Sequence, residues 1–269
     1  MTTLSSNHQR ILELVRDLRF TDREQLTALM ADKLKENGTE TALRYLVRDG
    51  YLSKNLRNAH SSRAAEGISR KRIVYYLAEK GRTYFGFTEH QRQVFSWKVA
   101  RAGADMADLA HEVGISWFHT LGLLGHRDRL WDLVFKRGKH LGFGEEHHRH
   151  TPDSLAVFSS QTGTYRRYVE YVHKAKLALS VRHAVRYYKA FQEGEIEGRV
   201  VWITKKTEKM RALRAAIAEE VPEAGDFFLF VAQENVALDP TQLLKPIFVT
   251  TDKAPLALFP SRKSEKAVA

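Results

Sequence analysis

Two apolar blocks restrict the folds open to this chain more than any other feature. Arg199 to Thr204 (RVVWIT) and Phe227 to Ala232 (FFLFVA) are almost wholly β-branched and aromatic, with no alternation of polar residues. A strand without a polar face must be covered on both sides, so both blocks belong inside a sheet flanked by helices. Thr207 to Glu220, between them, has the spacing of a helix. Upstream, Leu130 to Arg137 reads as a strand, residues 153–158 and 164–172 as two more, and Lys174 to Gly194 as a helix. With a helical pattern over Ala104 to Leu124, the order is α-β-β-β-α-β-α-β. That order predicts an α/β (α+β) domain, a mixed sheet with flanking helices.

The first part of the chain has a different rhythm. Ile11, Leu12, Leu14, Val15 and Leu18 repeat at helical spacing behind Ser6 or Asn7 as a cap. Thr21 with Glu24 has the form of a capping box for a second helix, lined by Leu26, Leu29 and Met30. Gly38 marks a break, Thr39 and Thr41 offer caps for a third helix over Glu40 to Asp49, and Gly50 ends it. Two strands follow, Tyr51 to Lys54 and Arg72 to Leu77, joined by a polar loop. Three helices and a two-stranded ribbon predict a winged helix-turn-helix over residues 1–86. An amphipathic stretch from Phe87 to Gly103 then leads into a second domain over residues 87–260, and a charged tail, 261–269, reads as disordered.

Charge points to a polyanionic partner. The net charge is +11, and it is concentrated. Lys54 to Arg72 holds six Lys or Arg against Glu66, and Gln161 to Ala190 holds seven against Glu170. In a helix-turn-helix the recognition helix enters the major groove. Here it would present Thr39, Thr41, Arg44 and Arg48, with Tyr45 divided between core and surface. Arg57, Arg63, Arg70, Lys71 and Arg72 on the wing suit backbone phosphates. The chain has no cysteine, which removes disulfides and thiolate metal sites. No apolar run approaches the roughly 20 residues that span a bilayer, and the polar start is no signal peptide. The expectation is a cytoplasmic protein without a membrane partner.

The chemistry concentrates between Thr151 and Lys176. Pro152-Asp153 opens one strand, residues 159–163 supply a turn, and Glu170 lies on the returning strand. Paired strands bring Asp153 and Glu170 side by side, and two carboxylates held together suit Mg²⁺ or Mn²⁺. Glu112, beside His111 on the preceding helix, is a third candidate ligand; the plainer reading is an exposed acid beside a hydrogen-bonded histidine. His147, His148 and His150 form an accessory group that can bind a transition metal, contact phosphates, or simply face solvent. Tyr165, Tyr168 and Tyr171 are covalent nucleophiles in principle, and strand packing explains them equally.

With these residues in place, the chain resembles the replication-relaxation family of plasmid and mobile-element proteins. In particular it is similar to conjugative relaxases that join a winged helix to a restriction-endonuclease-like domain. The resemblance runs over roughly residues 7–250 and is strongest in the winged helix, in His111, and in Pro152-Asp153 followed by Glu170. It implies a PD-(D/E)XK core, binding of DNA at an origin of transfer or replication, and metal-dependent cleavage of one strand, with other transfer or replication proteins as partners. The PD-(D/E)XK pattern places a lysine two residues after the glutamate, where this chain has Val172. Lys174 lies two residues further along the same strand face, and Arg186 or Lys189 on the next helix are alternatives. The implied catalytic set is Asp153, Glu170, Lys174 and His111. The rival classes are a DNA-binding regulator with an inactive nuclease-like domain and a protein adaptor. The second predicts no salt-dependent DNA affinity.

Overall fold

The structure, a computed structural model, describes residues 4–57, 72–88, 106–136, 141–143, 150–160, 163–172 and 177–258. The chain is a mixed α and β protein of two compact units, Met1–Thr120 and Leu121–Ala269. Residues 89–105 of the amphipathic stretch and the tail 261–269 lie outside the described residues.

In the first unit, α1 (Ser6–Leu18) buries the stripe Ile11, Leu12, Leu14, Val15 and Leu18, and the Ser5 side chain accepts from the His8 N–H at its start. A short strand β1 (Thr21–Asp22) leads into α2 (Arg23–Leu29) and α3 (Glu36–Arg48). Strands β2 (Leu52–Arg57) and β3 (Arg72–Leu77) pair antiparallel, and β1 adds to β3, giving the order β1-β3-β2. A short helix α4 (Glu79–Tyr84) follows. The long helix α5 (Met106–Arg127) contributes its first half to this unit. There Val113 packs with Phe20 and Val74. Ser116 Oγ reaches the carbonyls of Leu18 and Phe20, and Gln25 Nε2 donates to Val113 O at 3.2 Å.

Three helix starts differ from the sequence reading, the first because Ser5 caps α1 in place of Ser6 or Asn7. The capping box is Asp22 with Gln25: Asp22 Oδ1 accepts from Gln25 N at 3.0 Å and Gln25 Oε1 accepts from Asp22 N at 3.1 Å. Thr21 is one residue too early because β1 holds it extended opposite Tyr75. Gly38 does not break the chain. It lies in the first turn of α3, where Leu34 packs against it. Thr39 is therefore inside the helix and fully buried. Gly50, at φ 77°, ends the helix as expected, its N–H donating to Val47 O while Tyr51 N–H returns to Leu46 O.

The second unit is built on a seven-stranded mixed sheet. It comprises β4 (Asp132–Lys136), β5 (Ser154–Ser160), β6 (Gly163–Val172), β7 (Arg199–Thr204), β8 (Phe228–Ala232), β9 (Phe248–Val249) and β10 (Pro255–Leu256), in the order β10-β9-β8-β7-β6-β5-β4. Strands β4, β5 and β6 run antiparallel to one another, and β6, β7 and β8 run parallel. The parallel steps need crossovers, supplied by α6 (Leu177–Gln192) and α7 (Thr207–Glu220). Ala184, Tyr187 and Ala190 of α6 and Met210, Leu213 and Ile217 of α7 share one core with Tyr168, Val172, Val200, Trp202, Phe228 and Phe230. The alternate residues Val169, Val201, Ile203, Leu229 and Val231 are also buried. Both apolar blocks are thus covered on both faces, which is why their sequences show no alternation. At the start of β7 the backbone passes so close to Arg166 that a Cβ on Gly198 would lie 2.4 Å from its carbonyl oxygen. Only glycine fits there.

Candidate functional site

The site grows from the β5–β6 hairpin. Ser154 pairs with Val169, so Asp153 comes one step beyond the strand end, beside Glu170. Asp153 Oδ2 accepts the backbone N–H of Tyr171 at 2.8 Å, which fixes the carboxylate against β6. Alternation along β6 turns Tyr168, Glu170 and Val172 to the face covered by α6. A carboxylate on that face leaves water, and Glu170 is indeed buried.

Burying a carboxylate is unfavourable unless polar partners meet it. Two do so here. Tyr187 Oη, from α6, donates to Glu170 Oε1 at 2.5 Å, and His150 Nε2 lies 2.8 Å from the same oxygen. His150 belongs to a β-bridge with Phe143, each N–H donating to the other's carbonyl at 3.0 Å, so its backbone is pinned before the chain reaches Asp153. His183, one helical turn before Tyr187, packs its ring 4.2 Å from that of His150. One ligand atom each of His150, Glu170 and His183 lies within 4.8 Å of the others.

The electrostatics keep the imidazoles neutral. Burial pushes His150 down to about 4, with the Arg186 charge acting the same way and Asp153 opposing. Burial likewise lowers His183 to about 4, helped by His150, Arg186 and Arg182 and opposed by Asp153. The Tyr187 hydroxyl is pushed well above its ordinary range by burial and by Glu170. At neutral pH the cluster is therefore two neutral rings and a protonated phenol around Glu170, with a guanidinium close by. Such a set can bind a cation through oxygen and nitrogen, or polarise a group placed against it.

The remaining candidates fall as follows. Val172 is buried in the core, so the position of the usual lysine carries no charge. Lys174, His147 and His148 lie outside the described residues. Of the alternative cations, Arg186 acts on both imidazoles, whereas Lys189 pairs with Glu193 at 3.7 Å. His111 and Glu112 are half-buried on α5 in the first unit. Tyr168 and Tyr171 are core residues, and the Tyr171 hydroxyl donates to Gln233. His183 and Tyr187 were not singled out from the sequence. The signal for them is the four-residue spacing of His183 and Tyr187 around Arg186 on a helix that must cover β6.

On α3, Arg44 and Arg48 extend outward with side chains 78% and 71% exposed. Arg44 pairs with Glu40 at 2.5 Å and Arg48 with Asp49 at 2.8 Å. Thr41 is exposed and donates to Asn37 O. Thr39 is corrected: it is buried, without a hydrogen-bond partner among the described residues, and presents nothing to a groove. Arg57 and Arg72 are register partners at the far end of the β2–β3 ribbon, while Arg63, Arg70 and Lys71 lie outside the described residues. Among the described residues no helix is long and apolar enough to cross a membrane.

The family model for replication-relaxation proteins matches residues 12–201, well over half of the chain, which spans α1 through the start of β7. The chain belongs to that family, and the family points to DNA in replication or mobilisation. No curated protein and no solved structure matches the chain.

Proposed function

With membership of the replication-relaxation family as premise, we propose that this protein binds DNA at an origin of transfer or replication and nicks one strand by metal-dependent hydrolysis. In this reading the first unit is a winged helix. Its α3 offers Thr41, Arg44 and Arg48 to the major groove, and the β2–β3 ribbon carries Arg57 and Arg72 toward backbone phosphates. The second unit is a nuclease of the PD-(D/E)XK type. The observation that carries the reading is the placement of Asp153 beside Glu170 at the end of the β5–β6 hairpin, in the field of Arg186.

Asp153 and Glu170 would hold Mg²⁺ or Mn²⁺, which supplies Lewis acidity at a phosphoryl oxygen and lowers the pKa of bound water. The residues fit an ion in the chemistry of their donors: two carboxylates one register step past Ser154 and Val169, one fixed by a backbone N–H and the other by a phenol. Arg186 takes the place of the missing lysine and stabilises negative charge developing on the phosphoryl oxygens. Water is the nucleophile in this reading. Its oxygen joins phosphorus, one ester oxygen departs, and the protons of that water are divided between solvent and the departing oxygen. Of the candidate tyrosine nucleophiles, Tyr168 and Tyr171 are packed in the core, whereas Tyr165 is half-buried on β6.

The test is conversion of supercoiled plasmid carrying the cognate origin to open circles. It should require Mg²⁺ or Mn²⁺, stop with EDTA, and stop in Asp153→Asn and Glu170→Gln with DNA binding retained. A second reading, a DNA-binding regulator with an inactive nuclease-like unit, is favoured by one observation, the buried Val172 at the lysine position. Tight binding to origin DNA with no cutting under either metal would select it.

A further inference from the structure

The donor set around Glu170 contains more nitrogen than a Mg²⁺ site uses. Mg²⁺ takes oxygen ligands and retains waters, whereas imidazole favours first-row transition ions. We propose that His150, Glu170 and His183 form a three-ligand site for a divalent transition ion of the Zn²⁺ and Co²⁺ class. The inference shares Glu170 with the nuclease reading above and otherwise stands apart from it, because ion binding needs no DNA.

Geometry is the first support. The three ligand atoms lie within 4.8 Å of one another, and His150 Nε2 and Glu170 Oε1 are already 2.8 Å apart. Ligands about 2.1 Å from one Zn²⁺ in a tetrahedral arrangement stand roughly 3.4 Å from each other. One pair is therefore closer than needed, and ring rotation of the half-buried His183 closes the rest. The three residues come from different elements: the bridge residue before β5, the end of β6, and α6. Their convergence is a property of the fold and not of a flexible loop.

Support from the surroundings is the second point. Tyr187 Oη donates to Glu170 Oε1, the kind of outer hydrogen bond that orients a ligating carboxylate. The bridge to Phe143 fixes the His150 backbone, and the Phe143 and Tyr187 rings border its imidazole at 5.5 and 4.9 Å. The ion takes the place of the hydrogen between His150 Nε2 and Glu170 Oε1, and the ring's one proton moves from Nε2 to Nδ1. The charges facing the site are Asp153, which favours a cation, and Arg186 and Arg182, which oppose it. A site with that balance selects an ion for its bonds to nitrogen more than for its charge.

The experiment uses the full chain without a histidine tag. Co²⁺ is titrated and followed by its visible absorption, and Zn²⁺ and Mg²⁺ are then added as competitors. Expected are saturation at one Co²⁺ per chain, displacement by equimolar Zn²⁺, and no displacement by millimolar Mg²⁺. His183→Gln, at a half-buried position, should retain the wild-type circular dichroism and lose Co²⁺ affinity by about a hundredfold or more. Tyr187→Phe should weaken it by about tenfold. The double variant His147→Ala, His148→Ala should bind as wild type. No Co²⁺ spectrum in the folded wild-type chain overturns the site, and so does loss of binding in the double variant with retention in His183→Gln. Plasmid nicking with Mg²⁺ in a chain that gives no Co²⁺ spectrum would leave the nuclease standing and remove this inference. A Co²⁺ site without nicking would do the reverse.

Discussion

Two helices of this chain carry polar side chains in opposite settings. On α3, Arg44 and Arg48 reach outward, each against a carboxylate close in sequence. On α6, His183 and Tyr187 turn inward onto a buried glutamate from another element. The exposed pairs gain little, because water screens them and two long side chains lose freedom to hold one geometry. The inward group is another matter, since every polar atom taken from water must find a partner or cost free energy. Exposed arginines can be kept for what they meet outside. A buried glutamate with two imidazoles has to be satisfied within the fold.

The comparison breaks most visibly at Glu170. Glu170→Ala strips both the Tyr187 hydroxyl and His150 of their acceptor, and the expected loss of stability is about 3 kcal/mol in urea unfolding. A loss below that for an exposed pair would mean that the cluster is open to water. Acid should act next. His150 and His183 titrate near 4 when folded and near 6.5 when unfolded, so the unfolded chain binds more protons between those values. Stability of the metal-free chain should hold above pH 6.5, fall by on the order of 2 kcal/mol as pH drops to about 4, and lose nothing further from these groups below that. His183, the more exposed of the two, contributes the smaller part. A melting temperature flat over this window would contradict the burial of both rings.

Smaller changes sharpen the contrast. Tyr187→Phe removes one donor and leaves the ring in the core, for an expected loss of about 1 kcal/mol. Arg44→Ala and Arg48→Ala should each shift stability by less than about 0.5 kcal/mol. Each should nevertheless weaken binding to origin DNA, and one that contacts a phosphate should reduce the salt slope by about one. Filter binding across a salt series separates these effects. An unchanged slope and affinity in both variants would remove α3 from the DNA interface.

The outcome also explains what was legible in the sequence. The β7 and α7 spans, Arg199–Thr204 and Thr207–Glu220, were readable to the residue, because an unbroken apolar run and a helical stripe each have one solution. The adjacency of Asp153 and Glu170 was readable because a hairpin register is a local matter. The start of α3 was not, since a glycine in the first turn costs little there and Leu34 packs on it. Thr39 was misplaced for the same reason: with the helix starting at Glu36 it becomes an inward position. His183 and Tyr187 escaped notice because only the packing of α6 over β6 joins them to Glu170. His150 read as one of three loop histidines, and the bridge to Phe143 that turns it inward leaves no local mark in the sequence.

The span of the buried cluster has a consequence for how the chain folds. His150, Glu170, His183 and Tyr187 fall within thirty-eight consecutive positions, although the sheet around them extends to residue 256. Assembling them takes one hairpin and one helix laid back across it, with short loop closures and small entropic barriers. Strands β7 and β8 join from later in the chain and seal the core under Trp202 and Phe228. A polypeptide emerging from the ribosome can thus gather these four side chains before strands β7 and β8 have emerged to cover them.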